Sequence, residues 1–502
     1  PHFDCSGKLA LIHNGIVDNY EELGKKIRGH KLLGQTDSEI IVHLIERELT
    51  KTQNLLSAVK KVAKMTTGFN AFVVIHQDYP YLVAAKTGSP LVIGLNPGNN
   101  LVSSDVASLL SHTNKVIFLE DNQIARISPD EVRLENFSSV REIKPLVQTI
   151  NWTAKSASKS GFPHFMLKEI YDQPAVLAKI AESKVKEARQ LASSIAKAKN
   201  VFAVACGTAS YAALAGQYLF ACIAGQQVIP AIGSEFYYYD GAIGTRSLCL
   251  ALSQSGETID TLQSVSFAKS RGAKTVSLVN VQGSSLDRLS DQTILLAAGP
   301  EKAVASTKAF SAKVALLLLT ASALKRKIPR AVIEIKQAVR AIRKILSPDY
   351  QKYLKKLASG FKHVHSIFIL GRGISYPAAL EAALKIKEVS YIHAEGFAAG
   401  ELKHGVIALI SQRTPCLVFA PNDETYSDVI SGAMEVKARG GLIIGISHKP
   451  NPQFDYYLPV ADSGNATILG NVVVAQCLAY YLAVARGLDP DMPRNLAKSV
   501  TV

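Results

Sequence analysis

Several groups of residues in this chain have the types and spacing of reaction chemistry. One is Ser253-Gln254-Ser255-Gly256-Glu257-Thr258. It follows the apolar run Ser247–Leu252 and precedes a helix-like stretch from Ile259 to Ser270, so it reads as strand, turn and helix start. Backbone N–H groups at a helix N-terminus, with three short hydroxyls and an amide, suit a dianionic phosphate. A plain helix cap gives the same local pattern. Lys385 and Glu388 are spaced i, i+3 on one helix face. They form either a surface ion pair or a carboxylate base beside a cation, fit to move a proton between neighbouring carbons of a sugar. Lys498 is the single lysine of a tail, Pro493 to Val502, that has almost no helical periodicity. Its amine could form a Schiff base with a sugar ketone, although tails ordinarily fray.

Two further segments belong with these. Tyr391 to Gly405 is dense in glycine and titratable groups and is expected to be a long functional loop. Within it His404 is an acid/base candidate or a packed histidine, and Glu395 and Glu401 are orienting groups or surface. Gly299 to Phe310, with Val304 and Ser306, is a small-residue loop that lines the same pocket or merely caps a helix. The six cysteines, Cys5, Cys206, Cys222, Cys249, Cys416 and Cys477, are scattered without a CxxC pair, which fits reduced thiols in a cytoplasmic protein. His363 and His365 are too isolated to make a metal site, so no metal is expected.

The elements that must position these groups fall into two patterns. Residues 1 to about 143 mix candidate strands (Lys8–His13, Ala71–Ile75, Leu82–Ala85, Ile124–Ile127) with candidate helices (Asn19–Ile27, Asp37–Leu49). His13-Asn14-Gly15 ends a strand there, and Asp37 opens a helix. Asn151 to Gly161, rich in Ser and Lys, reads as linker. From about residue 166, apolar strands alternate with Ala-rich helices, the pattern of open parallel α/β sheets.

That second region repeats itself. Val201–Gly207 resembles Ile367–Gly373, and Ala-Ala-Leu follows at the same offset, at 212–214 and 378–380. Cys249 to Thr258 aligns with Cys416 to Thr425, and Arg-Gly recurs at 271–272 and 439–440. The second copy replaces the Ser-rich turn by Ala420-Pro421-Asn422-Asp423. A carboxylate there repels phosphate, so the phosphate is expected in copy one, at the carboxyl ends of its strands.

Composition excludes other classes. A chain of 502 residues, 48% hydrophobic and 19% charged, has the balance of a multi-domain globular protein. The longest apolar tract found, Val314 to Leu324, is short of the roughly 20 residues a membrane span needs. The net charge of +15 sits on helix-like stretches such as Lys179–Lys199, with no zinc-finger pattern and no aromatic-basic interleaving. Solvated helix faces and attraction for anionic substrates account for it better than nucleic acid.

Taken together, His13-Asn14-Gly15, Thr36-Asp37, Ser89–Gly94, Ser253–Thr258, Glu401–Gly405 and the Pro493–Val500 tail resemble the isomerising glutamine–fructose-6-phosphate aminotransferase family from end to end. The resemblance implies an α/β protein: an incomplete Ntn-type glutaminase domain (1–143), a linker (144–165), two doubly wound sugar isomerase (SIS) domains (166–340 and 345–492) and an active-site tail (493–502). It implies conversion of fructose 6-phosphate and glutamine to glucosamine 6-phosphate and glutamate, the first step toward amino-sugar nucleotides, without a cofactor, in a cytoplasmic homodimer. By the same resemblance Ser253, Gln254, Ser255 and Thr258 hold the phosphate, and Thr208 and Ala209 add contacts. Val304 and Ser306 line the sugar pocket. Lys498 forms the imine, Glu388 carries a proton from C1 to C2 with Lys385 in support, and His404, from the partner subunit, assists ring opening. Asn14, Gly15 and Asp37 are a remnant of the glutamine site.

The departures carry their own expectations. Similar glutaminases use an amino-terminal cysteine, which would precede Pro1, and Cys5, inside the chain, is no substitute. Glutamine hydrolysis is therefore expected to be missing from this polypeptide, leaving ammonia as donor; the simplest account is an incomplete sequence of an ordinary enzyme. Position 209 is Ala where many relatives carry Ser. The alternatives are an SIS-type amino-sugar-phosphate deaminase and a non-catalytic phosphosugar sensor.

Overall fold

The computed structural model describes residues 1–34, 36–139, 141–150, 152 and 158–498. Residues 151 and 153–157 of the expected linker and the last four residues of the tail lie outside them. The chain divides into two compact units, the first built mainly on Pro1–Ala157 and the second on Ser158–Gln282 with Leu286–Lys498.

In the first unit, strands β1 (Leu9–Gly15), β2 (Asn70–His76), β3 (Leu82–Thr87), β4 (Gln123–Ile127) and β5 (Val132–Asn136) are antiparallel neighbours in a seven-stranded sheet. Alternation sets its faces: Leu9 and Leu11 are buried while Ile12 is exposed. The buried face packs on helices α1 (Asp37–Thr52) and α2 (Leu55–Met65). A smaller four-stranded sheet covers the other face, with Val73, Ala84, Ile93 and Ile117 in that core. Three of the four expected strands and the expected helix from Asp37 lie within these elements, and the fourth, Lys8–His13, is found at Leu9–Gly15. The helix expected over Asn19–Ile27 is instead Tyr20–Gly24 followed by a 3-10 turn, Lys25–Ile27.

The second unit contains the duplication. Strands β6 (Asn200–Ala205), β7 (Ile229–Ile232), β8 (Ser247–Leu252), β9 (Lys274–Val279) and β10 (Gln292–Leu295) form a parallel sheet in the order β7-β6-β8-β9-β10. Strands β11 (Ser366–Gly371), β12 (His393–Ala398), β13 (Pro415–Ala420), β14 (Leu442–Ser447) and β15 (Tyr456–Pro459) repeat it as β12-β11-β13-β14-β15. The central strands β8 and β13 are buried at every residue, as parallel strands covered on both faces must be. Helices α3 (Phe165–Ser183), α4 (Thr208–Leu219), α5 (Ile259–Ser270), α6 (Lys308–Leu324), α7 (Ser375–Ser390), α8 (Tyr426–Lys437) and α9 (Thr467–Ala485) complete the parts that position the site.

Two readings need correction. Tyr391 to Gly405 is not a long loop. It contains β12, an edge strand, followed by 3-10 turns. Gly396 lets this strand lie on α7, where a Cβ would meet the Ala379 carbonyl at 2.7 Å, and an edge strand does not need the β-branched run that marks a central one. The longest apolar helix is also not Val314–Leu324. The stretch Gly464–Ala485, with mean hydropathy 1.8, is long and apolar enough to cross a membrane, yet it is 83% buried inside this unit, where α9 packs on α7.

Candidate functional site

In the second unit the chemistry gathers at the carboxyl ends of β6, β8, β9 and β10. After β6 the chain turns through Gly207, at φ 53°, and α4 starts at Thr208. After β8 the Ser-rich turn closes on itself. Gly256 N–H donates to Ser253 Oγ at 2.9 Å, Glu257 N–H to Ser255 Oγ at 3.1 Å, and the hydroxyls of Ser253 and Thr258 lie 3.4 Å apart. Thr258 is the N-cap of α5, but its side chain makes no capping bond among the described residues. Thr258 therefore does not cap α5 through its hydroxyl. Asn280, after β9, ties this turn to the next loop: its N–H donates to Gln254 O at 3.2 Å and its Nδ2 to Gly299 O at 2.7 Å.

That loop seats the tail. Lys498 Nζ donates to Ala303 O at 2.7 Å and pairs with Glu301 Oε2 at 3.2 Å. Glu301 is buried and also accepts from Ser306 Oγ at 2.9 Å and Thr307 N–H at 2.8 Å. Burial alone would raise its pKa; the Lys498 ammonium and the Thr307 and Ala309 N–H groups hold it down at about 2. Glu169 on α3 accepts from Lys302 N–H and is pushed the other way, to about 8, by burial and by the Glu301 charge. The tail reaches this seat by fixed steps. Asp491 accepts from Phe165 and Met166 N–H at 2.8 Å each, its carbonyl accepts from Val304 N–H, and Arg494 N–H donates to Tyr391 Oη at 2.7 Å. Through Lys498 this tail is docked, not frayed.

Helix α7 supplies the other half. The Lys385 ammonium hydrogen-bonds Glu388 and lies 3.7 Å from Glu381 Oε1. Lys385 and Glu381 are fully buried, whereas Glu388 keeps 19% of its side chain exposed. The surface-pair alternative is thereby removed for Lys385. Burial would lower the Lys385 pKa, but Glu381 and Glu388 raise it, so it stays charged. Burial raises Glu381 to about 8. Thr208 Oγ1 donates to Glu381 Oε1 at 3.5 Å, joining the end of β6 in copy one to helix α7 of copy two. Lys313, fully buried on α6 and lowered to about 8 by burial, feels the charges of Glu301, Lys498, Glu381 and Lys385.

The structure thus brings together Thr208, Lys385 and Glu388 in one cluster, and Val304, Ser306 and Lys498 in another, with Ser253, Gln254, Ser255 and Thr258 on a neighbouring strand end. Ala209 is buried in the first turn of α4. His404 is not brought in: it stands exposed on a 3-10 turn, without a hydrogen bond or ion pair among the described residues. Glu401 is exposed, and the Glu395 carboxylate lies 3.9 Å from His393 Nε2. Sequence reading missed Glu169, Glu301, Lys313 and Glu381. The available signal was Lys313, a lone cation inside the apolar run of α6.

The first unit holds its own polar set. Gly15 sits at φ 136°, where a Cβ would lie 1.9 Å from Phe69 O. Asp37 is not the cap of α1, which is Thr36; its Oδ2 reaches back to accept from Val17 N–H at 2.8 Å. His13 bridges Ser38 and Asn70 at 2.9 Å each, and burial lowers its pKa, keeping the ring neutral.

Comparison with known proteins gives these arrangements their relatives. The SIS domain family matches residues 194–323 and 360–486, and the glutamine amidotransferase domain family matches residues 1–111. A Thermus thermophilus protein named glutamine–fructose-6-phosphate aminotransferase (isomerising) is 40% identical over 100% of this chain and 86% of its own length. The solved C-terminal domain of glucosamine-fructose-6-phosphate aminotransferase from Francisella tularensis is 33% identical, with a TM-score of 0.62, over 67% of this chain and 100% of that one. A glucosamine-6-phosphate deaminase from Thermotoga maritima, 24% identical with a TM-score of 0.56 over 67% of this chain and 99% of that one, shares the fold.

Proposed function

We infer the function of this chain from its kinship: it belongs to the isomerising glutamine–fructose-6-phosphate aminotransferases, with a glutamine amidotransferase domain and two SIS domains. It is an enzyme of that type, forming glucosamine 6-phosphate from fructose 6-phosphate with nitrogen from glutamine.

The residue roles are our reading. The turn Ser253–Thr258 holds the phosphate, with Thr208 beside it, and Val304 and Ser306 line the sugar. The Lys498 amine adds to C2 of the open-chain ketose, and the carbonyl oxygen leaves as water to give an imine. Ammonia then displaces the lysine. Glu388 takes a proton from C1 and returns one to C2, so that C1 becomes the aldehyde and C2 carries the amine, with no net redox change. Lys385 stays cationic and orients that carboxylate. His404 acts from the second subunit of a homodimer, a role supported by its exposed position away from its own chain's cluster. Asn14, Gly15 and Asp37 line the glutamine site. Six cysteines that are all free thiols, three of them buried, fit a cytoplasmic setting.

The observation that carries this reading is the seat of Lys498 beside Glu301 and the Ala303 carbonyl. A sensor of phosphosugars has no use for such a seat, and a deaminase has no use for a nitrogen-donor domain. Incubation with fructose 6-phosphate and borohydride is expected to fix one sugar on Lys498. Labelling of another lysine, or none, would sink the assignment. Product formation with glutamine and with ammonium salt, measured side by side, separates the donor from the sugar chemistry.

A further inference from the structure

The first unit gathers four side chains that no step above uses. Cys5 lies in the turn after the strand His2–Phe3, His30 in the turn that follows Lys25–Ile27, and His43 and Glu46 at i, i+3 on α1. Their ligand-type atoms all fall within 4.8 Å of one another. Cys5 Sγ is 3.5 Å from His30 Nδ1 and 3.7 Å from His43 Nδ1, and each of those nitrogens is 2.9 Å from Glu46 Oε2.

Four of the six edges of a ligand tetrahedron are thus given, and the other two are under 4.8 Å. With metal–sulfur and metal–nitrogen bonds of about 2.3 and 2.05 Å, tetrahedral angles put sulfur and nitrogen about 3.5 Å apart and nitrogen and oxygen about 3.3 Å apart. The four atoms need only spread slightly on the oxygen side to take an ion at their centre. Hydrogen bonding alone serves the group poorly. Each Nδ1 faces both the sulfur and the carboxylate, yet a single N–H can point to only one of them, whereas a central cation satisfies every member at once. The far nitrogen of His43 is buried with no partner among the described residues, so that ring makes its polar contacts on the cluster side alone.

We propose that Cys5, His30, His43 and Glu46 bind one divalent transition-metal ion of the zinc class. Thiolate, two neutral imidazoles and one carboxylate carry two negative charges, which a divalent ion neutralises. The soft sulfur selects zinc-like ions over magnesium or calcium. On binding, the Cys5 thiol gives its proton to water and a metal–sulfur bond forms. Four protein ligands leave no open position, which marks a structural site and not a catalytic one. The ion fastens the turns carrying Cys5 and His30 to α1, the helix that begins at Asp37. Sequence spacing hides the set, because its members come from three separate segments and only His43 and Glu46 are close in the chain.

The test uses the full chain, stripped with a chelator and titrated with Zn2+ alone and with Co2+ alone. One equivalent of Zn2+ per chain is expected, with a raised melting temperature. The Co2+ form should show the thiolate charge-transfer band and the intense visible bands of a tetrahedral ion. Cys5→Ser, at an exposed position where serine fits, should abolish the charge-transfer band and weaken Zn2+ binding at least tenfold, and His43→Ala should weaken binding by a similar factor while the thiolate band persists at saturating Co2+. Absence of saturable Zn2+ binding, a Co2+ spectrum without thiolate character, or unchanged binding in Cys5→Ser would each overturn the proposal. The spectrum of the unmutated protein decides the matter even if His43→Ala fails to fold.

Discussion

Lys498 and Glu301 meet at 3.2 Å although 197 residues separate them in the chain, and the carboxylate is completely buried while the ammonium keeps a path to solvent. A buried anion thus holds a partly exposed amine at the strand ends where the substrate is expected.

Replacing Lys498 with Ala should cut sugar conversion by about 1000-fold or more while leaving phosphate binding in place. Steady-state kinetics with ammonium salt, together with inorganic phosphate binding, would check this. Conversion within tenfold of the parent would rule out the imine.

Glu301→Gln keeps the shape of the seat and removes its charge. Adduct formation on Lys498 is expected to slow by roughly 10- to 100-fold, the usual loss of a charged hydrogen bond. Borohydride trapping followed over time reads this directly. A rate equal to that of the parent would mean that Glu301 serves folding alone.

Much of this site was legible beforehand, and the rest had a physical reason to hide. Ser253–Thr258 stood out because apolar strand, hydroxyl-rich turn and helix are contiguous. The duplication likewise stood out because both copies keep the same offsets. Glu169, Glu301 and Glu381 look like any helix or loop acid in one dimension. Their importance comes from burial and from partners 133 to 197 residues away, which no local pattern encodes. The strand His393–Ala398 was misread for a similar reason: its stability lies in backbone pairing with β11 and a glycine contact with α7, and its side chains carry no strand pattern.

Ser255→Ala should raise KM for fructose 6-phosphate about tenfold with a much smaller effect on kcat, since the hydroxyl is assigned to ground-state phosphate binding. Competition by inorganic phosphate should weaken in parallel. An unchanged KM would move the phosphate away from this turn.

The buried acids set a pH dependence of stability. Glu169 and Glu381 rise from an ordinary 4.5 to about 8, so the folded protein binds more protons than the unfolded chain in that window. Their contribution is complete below 4.5 and is lost as pH climbs through 8. Glu301, held at about 2, acts oppositely and loses its contribution as pH falls below 4.5. Melting temperatures should therefore decline from about pH 5 to pH 8, and Glu169→Gln should flatten that decline. An equal slope in the variant would show that Glu169 does not carry the proton.

If His404 serves the partner's site, Lys498→Ala and His404→Ala chains should each be inactive alone but complement when subunits exchange. Mixed dimers regain one intact site, for roughly a quarter of parental activity at equal mixing. No recovery after demonstrated exchange would confine His404 to its own chain.

The Thr208–Glu381 contact has an evolutionary corollary. Twin folds born of one ancestor ordinarily remain separable, each able to live alone or be shuffled into new proteins. Here the seam between them holds a lysine and a carboxyl group sealed from water. Excising the first twin would open that seam to water and remove the Thr208 hydroxyl from Glu381. The two copies are therefore expected to unfold together, as one cooperative unit.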